Sequence, residues 1–235
     1  MFYDWTIVLV IPAAIFAMWA QFKVNGTFKK YSGVANMRGV TGAEVAKTLL
    51  DNAGVVDVRI ERIPGNLTDH YDPRTKTLRL SEPVYASNSV AALGVAAHET
   101  GHAIQHATGY TALSVRNSIT PAASFASKAS VPVIIIGILL ASLARTSIGL
   151  TLVEVGIILF TVVLIFQLVT LPVEFNASSR AINMLQDTGI LTHDELIPAK
   201  KVLSAAAMTY VAAVAVTLMT LLRYIMIAGG MKRNN

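Results

Sequence analysis

Four stretches of the chain are apolar for long enough to cross a bilayer, and polar blocks separate them. The first runs from Trp5 to Val24, the second from about Ser130 to Ala144, the third from Ile148 to Leu171 and the fourth from Ser204 to Ala228. A membrane helix needs about 20 consecutive apolar residues. The second run is short, so its helix is expected to begin in the interface near Ala122. Pro12 lies inside the first run and is expected to kink it. Glu154 in the third run and Arg223 in the fourth are costly in lipid, so both are expected to face protein or an interface, in structural roles. The pattern divides the chain into an N-terminal membrane helix over 1–24, a polar block over 25–128, two membrane helices over 129–171, a second polar segment over 172–203, and a last membrane helix with its tail over 204–235.

The first polar block has its own periodicities. Thr41-Gly-Ala-Glu44 is a capping-box pattern that opens a helix carrying Val45, Leu49 and Leu50 and ending near Gly54. From Val55 to Ile63, Val56, Val58 and Ile60 alternate with Asp57, Arg59 and Glu61, as in a half-buried strand. A turn at Pro64-Gly65 follows. Leu67–Tyr71, the turn Asp72-Pro73-Arg74 and Thr77–Leu80 read as a strand pair. The second polar segment reads as helical.

Composition moves this picture towards lipid. Of 235 residues, 54% are hydrophobic and only 14% charged, against about a quarter charged in soluble domains. Mean hydropathy is +0.56. There are no cysteines, which excludes disulfides, thiolate nucleophiles and Cys-type metal sites. The net charge of +5 is spread along the chain, so no nucleic-acid partner is expected. Met1–Asp4 contains no basic residue, and the first apolar run is read as a retained anchor.

Candidate chemistry lies in Val95-Ala-Ala-His98-Glu99-Thr-Gly-His102-Ala-Ile, which contains His-Glu-x-x-His. Residues four apart share one helix face, so His98 and His102 can both reach one Zn²⁺. Glu99 is placed to take a proton from an attacking water, acidified by the metal, and to pass it to the leaving amine. The helix is expected over 89–108, with Asn88 or Ser89 as N-cap and a stop at Gly109. A lone Glu on an otherwise apolar helix needs a function to offset its desolvation.

A catalytic zinc site needs a third protein ligand. His106, Glu174, His70 and His193 are the candidates. His106 would sit about 12 Å along the helix axis from His98, too far to share an ion, and is expected to be structural. His193, beside Asp194 and Glu195, reads as a solvated surface residue. Two spans separate His102 from Glu174, so the chain returns to the same side of the membrane. Glu174 then follows directly on the third span and can complete a His-His-Glu site.

The runs Leu67-Thr-Asp-His-Tyr-Asp-Pro73, Val95-Ala-Ala-His-Glu-Thr-Gly-His-Ala-Ile-Gln105 and Thr170-Leu-Pro-Val-Glu-Phe-Asn-Ala-Ser-Ser179 resemble the YugP-type neutral zinc metallopeptidases, a bacterial membrane family. The likeness covers nearly the whole chain, from Phe2-Tyr-Asp and the Ala20-Gln21 that ends the first span. It is more distantly similar to the HtpX-like membrane proteases of the gluzincin type. There the third ligand is a Glu in a Glu-x-x-Ala-Asp/Ser helix, which Glu174-Phe-Asn-Ala177-Ser178 matches with Ser for the usual Asp. That implies Glu174 as ligand and leaves open which residue orients the zinc-bound His. The resemblance also implies a strand edge that takes up substrate backbone, for which Thr77–Ser81 is the candidate. A donor to the developing oxyanion is required. Arg180 is the first choice, with a salt bridge to Asp187 or Glu174 as its structural alternative. His70, held by Asp69 or Asp72, is second, and Tyr71 and Tyr110 are further candidates.

The resulting expectation is a mainly α membrane protein with about four transmembrane helices and a small α+β zincin-like (gluzincin) domain carrying a short β-sheet. Lys23, Lys29, Lys30, Arg38, Arg116, Lys128, Arg180, Lys200 and Lys201 fall on one side of the spans, and Arg145, Lys232 and Arg233 on the other. The positive-inside rule then makes both polar blocks cytoplasmic at the cell membrane. The expected activity is endopeptidase action on membrane or misfolded proteins. The expected partners are a protein or peptide substrate and the bilayer. Two alternatives remain. One is a site-2-type intramembrane protease, in which Asp51 or Asp187 would be the third ligand. The other is a non-enzymatic membrane scaffold stabilised by zinc.

Overall fold

The structure, a computed structural model, describes residues 5–143 and 147–234. Phe2–Asp4, Ala144 and Arg145 lie outside the described residues, as does the side chain of Arg233. Seven α-helices and three strands follow a short 3₁₀ turn (Trp5–Leu9): α1 (Ile11–Tyr31), α2 (Gly42–Asn52), β1 (Arg59–Ile63), β2 (His70–Asp72), β3 (Thr77–Ser81), α3 (Glu82–Tyr85), α4 (Val90–Ala107), α5 (Thr111–Leu143), α6 (Ser147–Asp187) and α7 (His193–Asn234). Among the described residues, four helical stretches are long and apolar enough to cross a membrane: Trp5–Tyr31, Thr111–Ser142, Ser147–Asp187 and His193–Lys232. The chain forms two compact units.

One unit holds Ala20–Ser114 and Pro172–Thr209. Its first helix after the anchor, α2, opens with the expected capping box. The Thr41 hydroxyl accepts from Glu44 N–H, and the Glu44 carboxylate accepts from Thr41 N–H at 2.7 Å. Gly54 (φ +68°) closes the helix in the left-handed region, where glycine carries no Cβ penalty. The face carrying Val45, Ala46, Leu49 and Leu50 is buried. Val45 and Leu49 pack with Val90, Leu93 and Ala97 of α4, Ala181 and Leu185 of α6, and Leu196, Ala199 and Leu203 of α7. One core thus joins the helix of the His-Glu-x-x-His motif to the segment carrying Glu174.

The sheet corrects two expectations. Its order is β1-β3-β2, with β1 parallel and β2 antiparallel to β3. Thr77–Ser81 is therefore the central strand, not an edge. Leu78 and Leu80 are fully buried, and so are Thr77 and Ser81. Arg79 points out but is flanked on both sides, by Glu61 of β1 (3.5 Å) and Asp72 of β2 (3.2 Å). The first strand is also shorter than Val55–Ile63. The ladder starts where Arg59 N–H donates to Lys76 C=O, and Val56 is 85% exposed.

The other unit holds the described residues up to Trp19, those of Val115–Leu171 and those from Tyr210 onward. Here α5 and α6 approach closely through small residues. A Cβ on Gly137 would lie 2.7 Å from Val153 N, and Gly149 abuts Ala141 in the same way. This is how helices associate without a hydrophobic drive between them. Glu154 forms a 2.6 Å ion pair with Lys232, which accounts for a carboxylate in an apolar run. The Phe160 and Tyr224 rings meet edge to face at 5.4 Å.

Three features of the long helices differ from the sequence reading. Pro12 falls in the first turn of α1, after the 3₁₀ turn, where a missing N–H has no intrahelical partner to lose. The helix behind the second apolar run starts at Thr111, well before Ala122, and includes Pro121 and Pro132. The third does not end at Leu171. α6 continues through Pro172 to Asp187, so Glu174 sits inside one helix rather than after it.

Candidate metal centre

α4 forms over the expected stretch. The Ser89 hydroxyl accepts from Ala92 N–H (3.2 Å) as N-cap, and Gly109 (φ +64°) stands just past the C-cap Thr108. All residues from Val90 to Gln105 are buried except Val95, His98 and Glu99, which are half-buried. The helix is thus enclosed on most sides, with one partly open stripe.

On that stripe the two imidazoles turn to the same point. His98 Nε2 lies 3.3 Å and His102 Nε2 3.5 Å from a single oxygen, Oε2 of Glu174. The three ligand atoms all lie within 4.8 Å of one another. Two ligand atoms at ~2.1 Å from a tetrahedral zinc stand about 3.4 Å apart, so both nitrogen–oxygen separations fit a common ion. Glu174 is 2% exposed. A carboxylate in such a place needs cationic or hydrogen-bonding partners, and a divalent ion between it and two imidazoles supplies them. The donor set, two nitrogens and one carboxylate oxygen, suits zinc.

The tautomer of His102 follows from its neighbours. Gln105 Nε2 donates to the Val173 carbonyl (2.9 Å) and to Asn176 Oδ1 (2.9 Å). A carbonyl only accepts, so this orients the Gln105 amide and turns its Oε1 to His102 Nδ1 at 3.0 Å. His102 Nδ1 must then carry the proton, leaving the Nε2 lone pair facing Glu174. His98 Nδ1 lies 3.1 Å from Ser178 Oγ. Ser178 thus stands where the resemblance places an Asp.

The remaining candidates have other partners. His106 Nδ1 bonds Tyr71 Oη at 2.9 Å, tying α4 to β2. His70 is exposed on β2, its Nδ1 2.9 Å from Thr68 C=O. Asp69 does not hold it, because that carboxylate accepts from Ser81 N–H and Oγ. Nor does Asp72, which accepts from Arg74 N–H and Thr75 Oγ1. Arg180 donates from Nε to Asn176 Oδ1 (2.8 Å) and forms no ion pair with Asp187 among the described residues. His193 is exposed at the start of α7. Asp51 is a surface partner of Lys47. Sequence reasoning missed Gln105 and Asn176, which link His102 to α6. The available signal was a polar residue three positions after a ligand on an apolar helix.

Comparisons agree with this centre. Residues 6–229 match the family model described as "Putative neutral zinc metallopeptidase". The chain is 49% identical over 221 residues to "Putative membrane protease YugP" of Bacillus subtilis (strain 168), covering 94% of this chain and 95% of that protein. No solved structure matches. With two histidines and a glutamate converging as a zinc-type ligand set, and with a match along nearly its whole length, this chain belongs to the neutral zinc metallopeptidase family of membrane proteases.

Proposed function

We propose that the chain is a membrane-embedded endopeptidase. It hydrolyses peptide bonds of membrane or misfolded proteins at the cytoplasmic face of the cell membrane, on a gluzincin-type catalytic unit. The observation that carries this reading is the convergence of His98 Nε2 and His102 Nε2 on Glu174 Oε2, with half-buried Glu99 next in sequence to His98. When bound, zinc supplies Lewis acidity to the scissile carbonyl and to the attacking water.

The chain's own residues do the rest. His98, His102 and Glu174 hold the ion. Ser178 accepts from His98 Nδ1–H as Gln105 does from His102, so both rings keep Nε2 for the metal. Glu99 receives the proton of the attacking water and returns it to the leaving amine. Arg180, braced at Nε by Asn176 on the helix that carries Glu174, is the donor to the developing oxyanion, with His70 the second candidate. Among the strand edges, β2 is fastened to α4 through Tyr71 and His106, and it is our candidate for pairing with substrate backbone.

Glu99→Gln tests the reading. Zinc content should match wild type, while cleavage of an unfolded protein such as casein falls at least ~100-fold, as loss of a general base predicts. Unchanged cleavage by Glu99→Gln, or none by zinc-loaded wild type, would sink it.

A further inference from the structure

α1 and α7 border an open groove of about 730 Å³ lined by four lysines. Lys23, Thr27 and Lys30 come from α1, at helical spacings of four and three, so they form one stripe. Lys200, Lys201 and Ser204 come from the first turns of α7. Among the described residues, no carboxylate lines the cavity. Among the described residues, neither Lys200 nor Lys201 has an acidic partner within ion-pair distance.

Lys30, Lys200 and Lys201 face one hollow, and their like charges repel unless an anion joins them. The hydroxyls of Thr27 and Ser204 add donors suited to phosphate oxygens. The size lies within the range of small-ligand sites. Position narrows the choice. Lys23 closes the first apolar run, and Lys200 and Lys201 stand just before the fourth, which begins at Ser204. Both stripes are thus at the depth where an apolar helix meets lipid headgroups. Apolar Ile197 and Met208 also line the cavity, offering contact to the glycerol and upper acyl segments that a free phosphate lacks.

We infer that this cavity binds the phosphate-bearing headgroup of an anionic phospholipid. It is a resident lipid site rather than diffuse attraction of lysines to a charged surface. The distinction is testable because Lys29 and Lys30 are adjacent, equally charged and both exposed, yet only Lys30 lines the cavity.

The experiment uses full-length protein in vesicles of phosphatidylcholine with one-fifth phosphatidylglycerol. Phosphatidylglycerol retained through delipidation is counted by native mass spectrometry. Lys30→Gln and Lys200→Gln should each lower retention about fivefold, and Lys29→Gln should leave it at the wild-type level. Equal melting temperatures in pure phosphatidylcholine show that the variants fold. Equal loss in Lys29→Gln and Lys30→Gln overturns the site in favour of surface attraction. Displacement of the lipid by millimolar glycerol phosphate or inorganic phosphate transfers the site to a soluble phosphate. Binding of an acidic peptide in phosphatidylcholine that disappears in Lys30→Gln transfers it to a protein partner. Either transfer overturns the lipid assignment.

Discussion

A Cβ built on Gly101 would lie 2.8 Å from the carbonyl oxygen of Ala177 and 3.3 Å from its Cα. Gly101 precedes His102, and Ala177 is three residues after Glu174, both members of the candidate ligand set. The two helices are therefore in tight backbone contact beside the candidate metal centre, and the obstacle to any side chain at 101 is backbone. Gly101→Ala should force α4 and α6 apart, costing about 1–3 kcal/mol of stability and weakening zinc binding in step. Gly94 of the same helix is the control. Its Cβ would meet Ala199 at an ordinary 3.6 Å, so Gly94→Ala should match wild type or gain up to about 1 kcal/mol from helix propensity. Thermal melts and zinc titrations of the two variants side by side test this. If Gly101→Ala binds zinc as wild type does, the helices are not held at the distance that the site requires.

The sequence made the zinc helix legible because its signals are local. A hydroxyl cap at Ser89, a glycine at 109 and two histidines at a four-residue spacing act within one element. Glu174 was legible from residue type and from counting spans. What was not legible depends on partners distant in the chain. The alternation Leu78-Arg79-Leu80 suits an edge strand, and only the ion pairs of Arg79 to both neighbouring strands reveal a central one. Pro172 reads as a helix end, yet α6 runs on because burial of Val173, Ala177 and Ala181 on one face holds the next turn. Gln105 looks like one polar residue on an apolar helix until Val173 and Asn176 are brought to it.

Gln105 therefore makes a second prediction. It is fully buried and supplies the acceptor for His102 Nδ1–H as well as donors to α6. Gln105→Met preserves approximate bulk and removes every one of these bonds. Zinc affinity should fall about 10–100-fold, the usual cost of losing a partner behind a ligating histidine. Competition with a chromogenic chelator measures it. An unchanged affinity would mean that the ring is held by packing alone.

The β2–β3 hairpin should show its own dependence on pH. Hydrogen bonds from Thr75 Oγ1, Arg74 N–H and Arg79 hold the Asp72 carboxyl down at about 2, below its ordinary 3.8. A depressed carboxylate pKa adds stability that is complete above the unfolded value and lost as pH falls through the folded one. The stability gap between wild type and Asp72→Asn should thus be constant above about pH 4 and close between pH 4 and 2. Melting temperatures across that range decide it, and a gap independent of pH would remove the carboxylate's charge from the account.

The choice of third ligand separates the present reading from its rivals most sharply. Glu174 is almost fully buried with Oε2 facing both histidines, whereas His106 is engaged with Tyr71 and Asp51 with Lys47. Glu174→Ala should lose stoichiometric zinc, while His106→Ala and Asp51→Ala should keep it. His106→Ala should instead lower the melting temperature modestly, because Tyr71 Oη loses its partner, at about 1–3 kcal/mol. Glu174→Gln is the sharper variant. It keeps the shape of the side chain but brings a weaker, neutral oxygen to a dication, so a folded protein with reduced zinc is expected. Metal content and melting curves of the four proteins give both readouts at once. Full zinc in Glu174→Ala, with loss in Asp51→Ala, would move the third ligand to α2 and favour the intramembrane-protease alternative.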